Sequence, residues 1–225
     1  MLRTVATLGI ATLFSANVMA AGAGDWLVRV GLGHVNPDTS SNNLFVGGDE
    51  LVGAQIDVGS NTRPIFNITY LMTDHIGVEL LAAWPFDHDI DGDGILAPAG
   101  KLGDTKHLPP TLSLQYHMMP GAAFRPYVGV GLNYTNFFST GTTQALEDAL
   151  GGPSSMSISD SWGLALQLGA DFDITETLFL NFDLRWIQIE ADATIRTQTA
   201  AGEVRSRISA DIDPWVISAA VGFRF

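Results

Sequence analysis

The chain has 225 residues, 46% of them hydrophobic, no cysteine, and a formal net charge of −13. That length suits one all-β domain, and the acidity argues against nucleic acid as a partner, because phosphate binding needs a basic face. Without cysteine, neither a disulfide framework nor a thiolate metal site can form.

Residues 1–20 have the layout of a secretory signal peptide. Arg3 supplies a positive start, Val5 to Phe14 form an apolar run, and Val18-Met19-Ala20 offers small residues for cleavage. Ser15-Ala16-Asn17 ends the run short of the roughly 20 residues a spanning helix needs. Removing this segment takes away Arg3 and no acid, so −13 becomes −14 for residues 21–225, the expected mature domain. That domain holds no apolar run long enough for a helical span. A soluble periplasmic protein and an outer-membrane barrel remain.

Period-2 alternation, the mark of a strand with two unlike faces, then recurs eight times. From about Asp25 to Val35, Trp26, Val28, Val30 and Leu32 oppose Arg29, Gly31 and Gly33. From Ile65 to Met72, Phe66, Ile68 and Tyr70 oppose Asn67 and Thr69. Beyond Thr73-Asp74-His75, the residues Ile76, Val78, Leu80, Ala82 and Trp84 oppose Gly77 and Glu79. The fourth segment, about Leu108 to Met118, sets Leu112, Leu114 and Tyr116 against Ser113, Gln115 and His117. Past Pro120-Gly121 the fifth, Tyr127 to Phe138, sets Val128, Val130, Leu132 and Tyr134 against Gly129, Gly131 and Asn133. The sixth runs from Trp162 to Phe172, with Leu164, Leu166 and Leu168 opposing Gly163, Gln167, Gly169 and Asp171. After a turn near Asp173-Ile174-Thr175, the seventh opposes Leu178, Leu180, Phe182, Leu184 and Trp186 to Asn181, Asp183 and Arg185. The eighth alternates Trp215, Ile217, Ala219, Val221, Phe223 and Phe225 with Ser218, Gly222 and Arg224.

Connections after the second, fourth and sixth segments are short, and the other four are long and polar or Gly-rich, with a helical turn expected near Ala145 to Leu150. An even strand count with alternating short turns and long loops is the transmembrane-barrel pattern. A soluble sandwich also alternates, so the aromatic positions decide. Trp84, Trp162, Trp186 and Trp215 fall at the loop-proximal ends of the apolar face, and Tyr70, Tyr116, Phe172 and Phe225 at the short-turn ends. Ten residues separate Trp162 from Phe172, roughly 26 Å of height at a 40° tilt, close to the apolar band of about 25 Å between aromatic girdles. Pro37, Pro64, Pro85, Pro126 and Pro214 sit at strand ends, where a missing N–H does least harm. The expected fold is an all-β, eight-stranded antiparallel transmembrane barrel of the Gram-negative outer membrane, with four external loops and both termini periplasmic.

Several stretches resemble the outer membrane protein W (OmpW) family, which includes the alkane-uptake protein AlkL. They are Gly24-Asp25-Trp26 with Val28-Arg29-Val30-Gly31, Thr73 to Leu80, Lys106-His107-Leu108-Pro109-Pro110-Thr111-Leu112, Arg125 to Gly129, Asn133-Tyr134-Thr135, and Asp213-Pro214-Trp215. The resemblance implies passage of small hydrophobic molecules across the outer membrane; alternation could not supply that function. The terminal Phe225 on an alternating strand resembles the signal read by barrel-assembly machinery. Outer-membrane lipids and lipopolysaccharide are the expected surroundings.

Inward positions can be read by height. Nearer the short turns lie Arg29, Glu79, Asp171, Asp183, Arg185 and Arg224, with Gln115, His117, Gln167 and Asn181. An eight-stranded barrel is just wide enough for side chains to fill, so these are expected to form a paired polar plug. Nearer the long loops lie Val35, Ile65, Leu81, Ala83, Phe137, Ile187, Ile189 and Val216, an apolar cup and the expected hydrophobic path. Leu44, Phe45, Leu51, Ile95 and Leu96, with Val46 and Val52, either extend this cup or fold the loops together. Pro109-Pro110, at the fourth strand, reads either as a strand start or as a lateral exit through a weakened ladder.

Asp87, Asp89, Asp91 and Asp93 with Gly92 and Gly94 resemble the start of a calcium loop, but the twelfth-position Glu is absent, and an ordinary acidic loop is the better reading. The five histidines scatter without a Ser–Asp spacing motif, so neither catalysis nor a cofactor is expected. The competing functional reading is a surface receptor or structural anchor with no transport role. Deleting Phe225 should lower outer-membrane insertion and leave protein in the periplasm, measured by fractionation; undiminished insertion would count against the assembly signal.

Overall fold

The computed structural model describes residues 21–225, so the signal-peptide reading of residues 1–20 lies outside the described residues. Eight antiparallel strands form the wall: β1 (Trp26–Asn36), β2 (Asn61–Leu71), β3 (Ile76–Ala83), β4 (Thr111–His117), β5 (Phe124–Thr142), β6 (Ser161–Asp173), β7 (Leu178–Ile187) and β8 (Trp215–Arg224). Their hydrogen-bonded order is β4-β3-β2-β1-β8-β7-β6-β5, and β5 pairs back onto β4 from Thr111↔Asn133 to His117↔Tyr127. The barrel is therefore closed, as the eight alternating segments require.

No helix among the described residues is long and apolar enough to cross a membrane; the strands carry the apolar surface. Val30, Leu32, Phe66, Leu112, Leu164, Leu166, Phe182 and Ile217 are all exposed on the outer wall. Trp84 and Trp162 rim it at the loop end, while Trp26 and Tyr70 pack together at the turn end with centroids 4.9 Å apart. This much exposed apolar area has no place in water, and it matches a lipid-facing band.

The long connections are more regular than their composition suggests. Ala54–Val58, Phe86–Gly94 and Lys101–Leu108 continue the wall upward onto the overlong β5. A second sheet is built from Ser154–Ile158, Glu190–Thr199, Gly202–Asp211 and the hairpin Leu44–Val46/Asp49–Leu51. That hairpin turns on Gly47 (φ 62°) and Gly48 (φ 103°), two left-handed positions of the kind a tight hairpin turn demands. The helical turn is present as α1 (Gln144–Leu150), with the Thr143 hydroxyl accepting from the Leu146 N–H as its N-cap. The acidic run Asp87 to Asp93 lies in strand Phe86–Gly94, where Lys101 reaches Asp89 at 2.7 Å.

Small residues on the inner face make room for large ones opposite. A Cβ on Gly222 would meet the Phe179 ring at 2.1 Å. Gly222→Val should therefore destabilise the barrel by about 1–3 kcal/mol or more through overpacking, read as a lower midpoint in urea unfolding of the lipid-embedded protein.

Candidate functional site

Inward side chains stack in layers along the lumen. At the turn end, Ala21, Leu27, Leu71 and Phe179 form a small buried apolar cluster. All three strand residues sit at inward parity where the next outward residues are also apolar, so alternation gave no contrast to reveal them.

Above this seal lies the ionic plug, to which every strand contributes. Arg29 on β1 grips Asp171 on β6 through Nε at 3.1 Å and Nη2 at 2.9 Å. Its Nη1 donates to Thr69 on β2 at 2.7 Å and to Glu79 on β3 at 3.3 Å. Glu79 also accepts from Arg185 on β7 at 2.7 Å and from Gln167 at 3.1 Å. Gln115 on β4 donates to Gln167, which donates in turn to Asp183. Tyr127 on β5 donates to Asp183 at 3.0 Å and accepts from Asn181. Arg224 on β8 reaches Asp173 at 3.0 Å.

The six plug residues named from sequence are thus all buried in one linked network. Two members were missed, Arg125 and Asp173, which are paired with each other. In the sequence, Pro126 marks the strand's edge and Asp173 falls in the expected turn, yet both missed residues keep the inward odd parity. With them the layer holds four arginines and four carboxylates. The Arg29 guanidinium also lies 5.5 Å from the Tyr127 and Phe179 ring centres, tying the plug to the seal below.

Directly on this floor sits the cup. Val35, Ile65, Leu81, Phe137, Ile187, Ile189 and Val216 join Phe86, Ala165 and Ala191 in one buried apolar cluster, with Ala83 packed against it. A narrow void of about 20 Å³ lies among Val35, Ile65, Leu81, Ala83, Phe86, Pro109, Ile187 and Val216, with Asn67, Asp183, Arg185 and Ser218 at its base.

Higher still, within the loop sheets, is an apolar chamber enclosing about 70 Å³. Val35, Phe137 and Ile189 reach it from the cup, and of the loop residues Leu44 and Leu96 line it. Phe45, Leu51 and Ile95 do not; they are 36%, 42% and 62% exposed. Phe45 points away from Leu44 and Val46 because a strand alternates, Leu51 lies on the hairpin's outer strand, and Ile95 sits on a turn. The exposed Val52 (75%) likewise turns outward. The chamber is walled instead by residues such as Ile56, Ile90, Met156, Ala193, Ile195 and Ile208. Their own period-2 pattern, as in Ala191, Ala193 and Ile195, was the usable signal.

Pro109 is buried beside the lower void and Pro110 faces outward. On one side they meet β5, where the Tyr134 N–H donates to the Pro110 carbonyl at 3.0 Å. On the other, the ladder to β3 ends at Thr111↔Leu81 and pairing resumes only at Phe86↔His107. The wall therefore lacks ladder pairing between Ala82–Pro85 and Leu108–Pro110, next to the apolar void. β4 itself starts at Thr111, three residues later than alternation suggested, because the two prolines interrupt it.

A closed eight-stranded wall with a lipid-facing apolar band, two aromatic rims and a side-chain-filled lumen defines a small outer-membrane barrel. The chain belongs to the OmpW family, whose model matches residues 22–225. It is 39% identical to outer membrane protein W of Vibrio cholerae over the full length of both chains. It is 30% identical to outer membrane protein AlkL of Ectopseudomonas oleovorans, covering 90% of this chain and 83% of that protein. The crystal structure of OprG from Pseudomonas aeruginosa superposes with a TM-score of 0.84 at 40% identity, covering 91% of this chain and 97% of that one. The protein accordingly resides in the outer membrane, in contact with its lipids.

Glu79 is the hub of the plug. Glu79→Ala would leave Arg29 and Arg185 without a shared carboxylate and should cost about 3–5 kcal/mol, read as an earlier loss of the folded band on an unboiled detergent gel with heating. An unchanged transition would mean the network contributes little.

Proposed function

We propose that this barrel passes small hydrophobic molecules passively from the loop side into the bilayer, through the chamber, the cup and the gap between β3 and β4. The observation that carries the reading is the lapse in the β3–β4 ladder at Pro109-Pro110, beside an apolar void that Pro109 helps to line. Downward passage is blocked. Arg185 and Asp183 stand at the base of that void, and separating or desolvating them costs several kcal/mol per ion. The turn end and both termini then face the periplasm, with assembly machinery acting on the terminal strand and lipopolysaccharide surrounding the loop end.

The resemblance to the alkane-uptake protein AlkL implies hydrophobic cargo. Nothing in the plug calls for an ion channel: its charges balance and are committed to one another. A receptor or anchor would need the outer loop surface and have no use for an apolar interior joined to a wall gap.

The test is uptake of an apolar fluorescent probe by liposomes bearing the purified protein. Pro109→Thr with Pro110→Val, which restores ladder donors, should slow uptake severalfold. Ala193→Leu, which fills the chamber, should lower it as well. Planar bilayers should show small or no ion conductance. If both variants take up the probe at the unaltered rate, the conduit fails and the receptor or anchor reading replaces it.

A further inference from the structure

The chamber is apolar except along one wall. There His88 and Thr105 are direct cross-strand partners, and His107 stands two residues further along the same strand as Thr105. All three are more than nine-tenths buried: His88 is 2%, Thr105 4% and His107 6% exposed. The two imidazoles stack with centroids 4.9 Å apart, flanked by Phe86 and Phe137 at 5.6 and 5.7 Å from the His107 ring. Each of the three residues keeps one buried polar atom with no protein partner: His88 Nε2, His107 Nδ1 and Thr105 Oγ.

The chemistry of these atoms is specific. His88 Nδ1 lies against the Gly59 carbonyl, an acceptor, so Nδ1 carries the proton and donates. In the neutral ring Nε2 is then a lone pair that needs a donor. The rings are neutral at ordinary pH: burial pushes His107 down to about 3, and burial also lowers His88. Leaving such groups unpaired is costly, and an apolar passage alone gives no reason for them.

We propose that the His88–Thr105–His107 wall recognises the hydroxyl head of an otherwise apolar molecule, a phenol or an alcohol, whose hydrocarbon body fills the chamber. A hydroxyl donates to His88 Nε2 and can still exchange a hydrogen bond with Thr105 or His107. A carboxylate only accepts and would face a lone pair, and an ammonium would be desolvated among apolar side chains at high cost. Ketones and ethers lack the donor. The inference rests on the chamber being part of the hydrophobic path.

The experiment uses the full barrel in nanodiscs and the isosteric pair p-cresol and p-xylene, with histidine-labelled protein read by 15N NMR. Addition of p-cresol should move the His88 Nε2 resonance upfield while p-xylene leaves it in place. In Thr105→Val and in His88→Leu, the p-cresol to p-xylene affinity ratio should fall about five- to tenfold, the scale of one hydrogen bond. The unboiled gel band verifies that each variant is folded, and the wild-type NMR result needs no variant. If p-xylene binds in the chamber but p-cresol leaves the histidine resonance unmoved and the ratio is unchanged, hydroxyl recognition is wrong and the hydrophobic path stands. If neither probe binds in the chamber, both readings fall.

Discussion

A backbone crossing hydrocarbon has no water to satisfy its N–H and C=O groups, so a strand there must be paired on both sides. The pairing of β5 back onto β4 meets that demand, and the rest of the architecture follows from it. Closure at eight strands sets a bore that side chains fill. Closure also confines proline to places where a missing donor can be tolerated. The lapse between β3 and β4 lies beside Trp84, at the upper aromatic rim rather than mid-membrane. At that height, headgroups and water can serve backbone groups the ladder leaves open.

Filling the bore poses a second problem, because inward-facing charges are cut off from water. The plug resolves it by pairing every guanidinium with a carboxylate and adding amide and phenol donors. Such networks are weak evidence of stability, since desolvation offsets most of the attraction. Their clearer effect is geometric. A one-residue slip of any strand would turn its inward polar residue to lipid, so a network joining all eight strands penalises each wrong register. The apolar seal beneath could close the lumen but could not specify register in this way.

Legibility followed contrast between faces. The eight strands were readable because large apolar outward residues met small or polar inward ones, and because the aromatics marked both membrane heights. Where contrast vanished, so did the signal: Leu27, Leu71 and Phe179 sit inward among apolar neighbours and were not singled out. Arg125 and Asp173 were lost at strand boundaries, placed outside by Pro126 and by a turn reading. In the loops, hydrophobicity alone selected Phe45 and Leu51, which strands of three residues leave exposed, and Ile95, which sits on a turn. Parity would have found Ala191, Ala193 and Ile195 in the longer loop strands. The histidines scatter along the chain, and only cross-strand register brings His88 and His107 face to face.

A passage must hold its cargo long enough to admit it and weakly enough to release it, and the layers of this lumen sort interactions by strength in that sense. The strongest, the ion pairs, lie at the floor, where they are already spent on one another and offer a passing solute nothing. The cup above offers only dispersion and exclusion of water, which do not discriminate among apolar shapes of similar size. On the proposed path, selectivity would therefore have to come from the chamber, which a solute would meet before the cup. A neutral hydrogen bond contributes net about 1 kcal/mol, enough to bias which molecules dwell there by severalfold. A charged partner at the same place would bind roughly twice as strongly and hold its ligand against onward movement. Buried imidazoles kept neutral by an apolar shell are thus compatible with flux, whereas exposed or protonated ones would turn an entrance into a trap.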